Sequence, residues 1–115
     1  MGKRVIRSGQ LPVIVDNGLG TTVKALADVK PGTRVEAFDV TIRSIKYIGG
    51  GALLELGVGD KTGLARVSPA VLVRDTQYIA QGAGVTVRGE ISRTSETPLI
   101  ELRVVFPATE SAAAS

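Results

Sequence analysis

The chain has 115 residues, 43% apolar and 22% charged, which fits one globular domain with a single core rather than two domains or a disordered segment. It contains neither Cys nor His, so thiolate and imidazole metal sites, Cys and Ser-His-Asp nucleophile systems and the usual neutral-pH general base are all excluded. The net charge of +3, from 14 Lys and Arg against 11 Asp and Glu, permits an anionic partner without requiring one.

Two Phe, two Tyr and no Trp beside 14 Gly describe an aliphatic, turn-rich core of short strands. The opening MGKRVIRSGQLPVIVD is basic, but its apolar run at residues 11–15 is short and contains Pro12, so it reads as neither a signal peptide nor a membrane span. Ile6 stands where a myristoylation signal needs Ser or Thr. The expected location is cytoplasmic, nucleoid-associated if the chain binds DNA, with no membrane partner. Residues 1–22 read as an N-terminal extension or hairpin turning at Asn17-Gly18-Leu19-Gly20, and residues 107–115 as a disordered tail.

Lys30-Pro31-Gly32-Thr33 is a turn, and residues 34–48 form a run rich in β-branched side chains that is too long for one flat strand. Phe38, Val40 and Ile42 keep the even phase, whereas Val35, Ala37, Ile45 and Tyr47 keep the odd one; a period of two changes phase only at a bulge or sharp coil. Gly49-Gly50-Gly51 turns the chain into a second strand at residues 52–58, with Leu54, Leu56 and Val58 on one face and Leu53 and Glu55 on the other. After the turn at residues 59–63, a third strand covers residues 64–67.

Ser68-Pro69 is a helix start, a capping hydroxyl followed by a proline at the first helical position, and a helix is expected over residues 69–80 with Asp75 interrupting its apolar stripe. Residues 85–92 then alternate with Val85, Val87 and Ile91 inward and Thr86, Arg88 and Glu90 outward, and residues 99–106 put Ile100, Leu102 and Val104 inward. In these phases Phe38 and Phe106 belong to the core, Tyr78 to the helix, and Tyr47 alone is left to face a ligand. Five strands, a helix between the third and fourth and a bent first strand give the expected fold: an all-β, five-stranded Greek-key OB-fold barrel with one small helix, over residues 23–106.

The segments KPGTRVEAFDVTIRSI, GALLELGVGDKTGLARV and IAQGAGVTVRGEISRTSETPLIEL resemble the OB-fold domains of replication protein A and of archaeal single-stranded DNA-binding proteins, over residues 23–105. Asp60-Lys61-Thr62-Gly63 matches that family's Asp-x-Thr-Gly hairpin; where its members carry an aromatic shortly afterwards, this chain has Leu64-Ala65-Arg66-Val67-Ser68. The resemblance implies binding of single-stranded DNA, or less favourably RNA, in a sequence-tolerant way during replication, recombination or repair. OB barrels take ligands on the second and third strands between two loops. Projected onto this chain, that surface comprises Lys46, Tyr47, Leu53, Lys61, Leu64, Arg66 and Arg93, and Arg43 and Arg88 complete the expected nucleic-acid-binding set. The scarcity of aromatics supports an alternative, a protein-interaction subunit of a nucleic-acid-processing complex that presents Leu53 and Leu64, with Leu99 as a further candidate, to a partner. A homo-oligomer or a larger replication or repair assembly fits either reading. No clustered carboxylates suggest acid-base or metal chemistry, so no catalytic residue, cofactor or enzymatic activity is expected.

Overall fold

The computed structural model describes residues 9–16 and 20–108; the expected disordered tail from residue 109 on, and the first eight residues, lie outside that range. Seven strands and one short helix follow in order: β1 (Pro12–Asp16), β2 (Thr21–Ala25), β3 (Arg34–Ile48), β4 (Gly51–Val58), β5 (Lys61–Val67), α1 (Pro69–Asp75), β6 (Gly84–Ile91) and β7 (Leu99–Pro107). The sheet runs β2-β1-β3-β4-β5-β7-β6, and β6 pairs back onto β3. Strands β3, β4, β5, β7 and β6 therefore close a five-stranded barrel. Its one parallel pair is β5 with β7, with α1 and β6 between them in the chain. This is the strand order of an OB barrel. Among the described residues no helix is long and apolar enough to cross a membrane.

β3 serves two barrel neighbours, besides its short pairing with β1, because it bends. Residues 34–41 pair with β6 and residues 41–48 with β4. The pairing with β6 slips between Ala37 and Val40, where Asp39 adopts φ 55°, a left-handed conformation that Asp tolerates better than most residues. This bulge is the phase change expected from the sequence, but it moves Phe38 to the outside, 49% exposed, while Val35, Ala37, Val40 and Ile42 stay inside. Phe38 is thus not a core residue. Thr86, expected outside, is only 3% exposed, because it lies beside the bulge and accepts a bond from the Asp39 N–H through Oγ1 at 3.4 Å. A second slip, between Ile42 and Ser44, leaves Arg43 unopposed and returns Ile45 to the core side.

β7 carries a similar correction. Arg88 faces Val104 and Gly89 faces Leu102, so Arg103 is the extra residue and the inward phase passes from Leu102 to Val105 rather than to Val104. Phe106 is half-buried and lies under the Arg88 guanidinium, 5.6 Å from its ring centre, instead of in the core. The strand runs through Pro107, and the Ala108 N–H still donates to the Gly84 carbonyl at 3.1 Å. Val58, at the end of β4, is exposed because it lies past the last core layer.

The helix is shorter than the expected residues 69–80. Ser68 caps it as its sequence indicates, accepting from the Val71 N–H at 3.3 Å, and α1 ends at Asp75 before a 3-10 turn at Thr76–Tyr78. Asp75 sets that end: it is 6% exposed, accepts from the Val105 N–H at 3.0 Å and holds Arg74, which ties the helix to β7.

β1 and β2 form a hairpin, Pro12 opposite Ala25 through Asp16 opposite Thr21. Its turn, residues 17–19, lies outside the described range. The hairpin is packed into the barrel: Leu11, Val13, Val15 and Leu26 are core residues, and the Gly9 and Leu11 N–H groups both donate to the Thr62 carbonyl. Gly63 makes this possible, since a Cβ there would sit 2.7 Å from Leu26 Cδ2 and 2.9 Å from Leu11 Cβ.

Candidate ligand groove

A groove of about 550 Å³ opens on the outward face of β4 and β5. The β3–β4 turn (Ile48, Gly49, Gly51) and the start of α1 (Ser68, Pro69) bound one end. The β6–β7 loop (Ser95, Thr97) and the first residues of β7 (Leu99, Glu101) form the far wall, and Leu53, Leu64 and Arg66 make the floor.

Backbone register explains the floor. Lys46 is opposite Leu53, Leu53 opposite Arg66, and Arg66 opposite Glu101, so these four side chains form one row across four strands. The next row is Ser44, Glu55, Leu64 and Leu99. At one rim, Gly49 and Gly50 have φ of 56° and 88°, the two positive values a tight primed hairpin turn needs. Gly51 is required for a different reason, as a Cβ there would fall on the Val67 carbonyl oxygen. The opposite loop is held by its own hydroxyls: Ser92 Oγ accepts from the Thr94 and Ser95 N–H groups at 3.2 and 3.1 Å, and Ser95 Oγ donates to the Thr97 carbonyl at 2.8 Å. One wall is thus set by glycine backbone geometry and the other by serine hydroxyls.

The single cation of the floor is already engaged. Arg66 Nε donates to Glu101 Oε1 at 3.0 Å, and a second nitrogen of the same guanidinium bonds the other carboxylate oxygen, a two-pronged pair. That hydrogen bonding raises the Arg66 pKa above its ordinary value. The pair is half exposed, so its contribution to stability is small, ~0–1 kcal/mol. Its effect on the groove is larger in kind, because the guanidinium arrives neutralised.

The remaining residues expected at the site are dispersed. Lys46 sits beside the floor in the Leu53 row and makes no ion pair among the described residues. Tyr47 is 66% exposed but alternates with Lys46, sharing the phase of Ile45, and does not line the groove. Lys61 and Arg43 belong to the far tip of the β4–β5 hairpin, where Arg43 donates to the Gly59 carbonyl and its guanidinium covers Gly57. Arg88 lies on the β3–β6–β7 face, paired with Glu36. Arg93 turns from the groove toward the turn before β3, its guanidinium packed where a Cβ on Gly32 would stand. Sequence reasoning therefore named Leu53, Leu64, Arg66 and the neighbouring Lys46 for a nucleic acid and Leu99 for a partner surface, and missed Glu101, Ile48 and Pro69. The signal for Glu101 lay in the parallel β5–β7 register, which no periodicity reveals.

No aromatic side chain lines this groove. Comparison of the chain with protein-family models, with curated proteins and with solved structures returns no match.

Proposed function

We propose that the barrel binds single-stranded nucleic acid, DNA in preference to RNA, as an extended and sequence-tolerant ligand laid across β4 and β5. One observation carries this reading: an open, strand-long groove lies where OB barrels take extended ligands, between the β3–β4 turn and the β6–β7 loop. The resemblance to replication protein A and archaeal single-strand binders supports it, as does Lys46 standing beside the floor with no ion pair among the described residues. The mode differs from the usual one. Bases would lie on Leu53, Leu64 and Leu99 instead of on aromatic rings, forgoing the ~1–3 kcal/mol per base that stacking supplies, so affinity per site is modest. The role is non-enzymatic and the proposed setting cytoplasmic, in replication, recombination or repair.

A specific observation favours a second reading, a protein-interaction subunit of such a complex. An aliphatic floor whose one guanidinium is matched by a carboxylate suits a partner chain with apolar side chains better than a polyphosphate.

Glu101→Gln separates the two, measured by fluorescence anisotropy with single-stranded DNA, duplex DNA and single-stranded RNA at several salt concentrations. If the ligand is a single strand, releasing Arg66 strengthens binding several-fold and steepens the salt dependence by about 0.7 per phosphate gained, while Leu64→Ala weakens it. No binding of the wild-type chain to oligonucleotides of about 15–30 bases at low salt overturns the nucleic-acid reading and leaves the protein partner.

A further inference from the structure

Barrel closure gives nearly every strand a neighbour on both sides. Among the described residues β2 is the exception, bonded to β1 alone. The hairpin register shows which of its groups are free. Leu26 N–H donates to the Leu11 carbonyl at 2.8 Å, and Leu11 stands opposite Leu26 by continuation of the Pro12–Ala25 register. Hydrogen-bonded and non-bonded pairs alternate along an antiparallel ladder. The bonded pairs are therefore Val13 with Lys24 and Val15 with Thr22, and Pro12, which has no N–H to give, falls correctly on a non-bonded one. The N–H and C=O groups of Thr21 and Val23 and the N–H of Ala25 consequently point away from the sheet, the Ala25 carbonyl being taken up by the 3-10 turn that follows, and the Val23 side chain is 66% exposed beside them.

We propose that this edge is a self-association site, pairing antiparallel with β2 of a second copy about a two-fold axis at Val23. The inference is independent of the groove and its ligand. Centring on Val23 is the only arrangement that aligns all five residues: Thr21 faces Ala25 of the other copy, Thr22 faces Lys24, and Val23 faces Val23. The two copies then exchange four backbone hydrogen bonds, two between the Val23 residues and two from the Ala25 N–H groups to the Thr21 carbonyls. Charge is compatible, since Lys24 meets a threonine and never the other lysine, and the two Val23 side chains cover each other. Assembly also stops at two. Each copy contributes the one open edge among its described strands, so the joined sheet ends in two closed barrels and those strands offer no edge to a third molecule. Five residues make a small interface, and the dimer is a weak one.

Sedimentation equilibrium of the full chain over rising concentration tests this, together with amide exchange. The expected result is a monomer–dimer equilibrium with no larger species, in which the Val23 and Ala25 amides gain protection with concentration while those of Thr22 and Lys24, already bonded to β1, do not change. Val23→Pro deletes an N–H that the fold itself leaves free, and weakens association by about tenfold or more with the barrel intact. If the proline unfolds the hairpin, Val23→Lys gives the same readout by placing two like charges directly opposite. A chain that stays monomeric to about 1 mM, a folded Val23→Pro or Val23→Lys variant that dimerises like wild type, or growth beyond the dimer overturns the proposal.

Discussion

The outward face of β4 and β5 and the outward face shared by β3, β6 and β7 are woven from one sheet, yet they dispose of charge in opposite ways. On the second, carboxylate and guanidinium alternate across neighbouring strands: Glu36 holds Arg88, Glu90 holds Arg103, and Arg88 covers Phe106. Arg88 and Arg103 each have a partner next door. On the first, the strands offer leucines and one Arg66–Glu101 pair at the border, leaving an apolar trough. The contrast teaches that an arginine on an OB barrel is no guide to the ligand side until its carboxylate neighbours are known. Arg88 and Arg66 look alike in the sequence, and both are already matched.

The comparison can be broken most forcefully from the charged side. Gly89 lies where β6 and β7 slip past each other, and a Cβ there would strike the Glu101 carbonyl oxygen. Gly89→Ala should cost about 1–3 kcal/mol or more in denaturant unfolding, whereas Leu53→Ala, on the half-buried groove floor, should cost clearly less while changing ligand affinity. Equal losses would dissolve the distinction between a structural face and a binding face.

Next in size is Asp75, beneath both faces. Hydrogen bonding to Arg74 first, and to the Val105 N–H as well, holds its carboxyl below the ordinary 3.8, with burial opposing. A depressed folded-state pKa stabilises above the unfolded value and is lost as pH falls through the folded one. Asp75→Ala should cost about 1–3 kcal/mol at pH 7, because the Val105 N–H loses its acceptor. The stability gap between wild type and Asp75→Asn should shrink on acidification below about pH 4. The smallest effect is expected for Glu36→Gln, an exposed partner of Arg88, at about 1 kcal/mol or less in the same unfolding measurement.

The barrel itself was legible because its signals are local. Turn glycines, the Ser68-Pro69 cap and period-two runs mark five strands and one helix without reference to anything distant. What the sequence could not show was set by register. The bulge at Asp39 was foreseen, but its position decides whether Phe38 or Ala37 points inward, and that depends on β6. Likewise Arg103 carries the slip that makes Val105, not Val104, a core residue. The Arg66–Glu101 pair needs two strands aligned in parallel across 35 residues of chain. The sequence therefore pointed to the face on which this groove lies, while the groove's electrostatic character was not legible.

The seam between β3 and β6 has a kinetic consequence. Arg34 meets Glu90, and the chain between them includes the whole β4–β5 hairpin and α1. No local contact rewards the approach of those ends until the intervening elements are arranged, so the loop entropy is spent first and recovered late. Folding should therefore be rate-limited by closure of this seam, on the roughly millisecond-to-second scale of small all-β barrels. Until it closes, β3 and β6 each carry an open edge besides that of β2, which makes the time before closure the period in which the chain is most open to pairing with the wrong molecule.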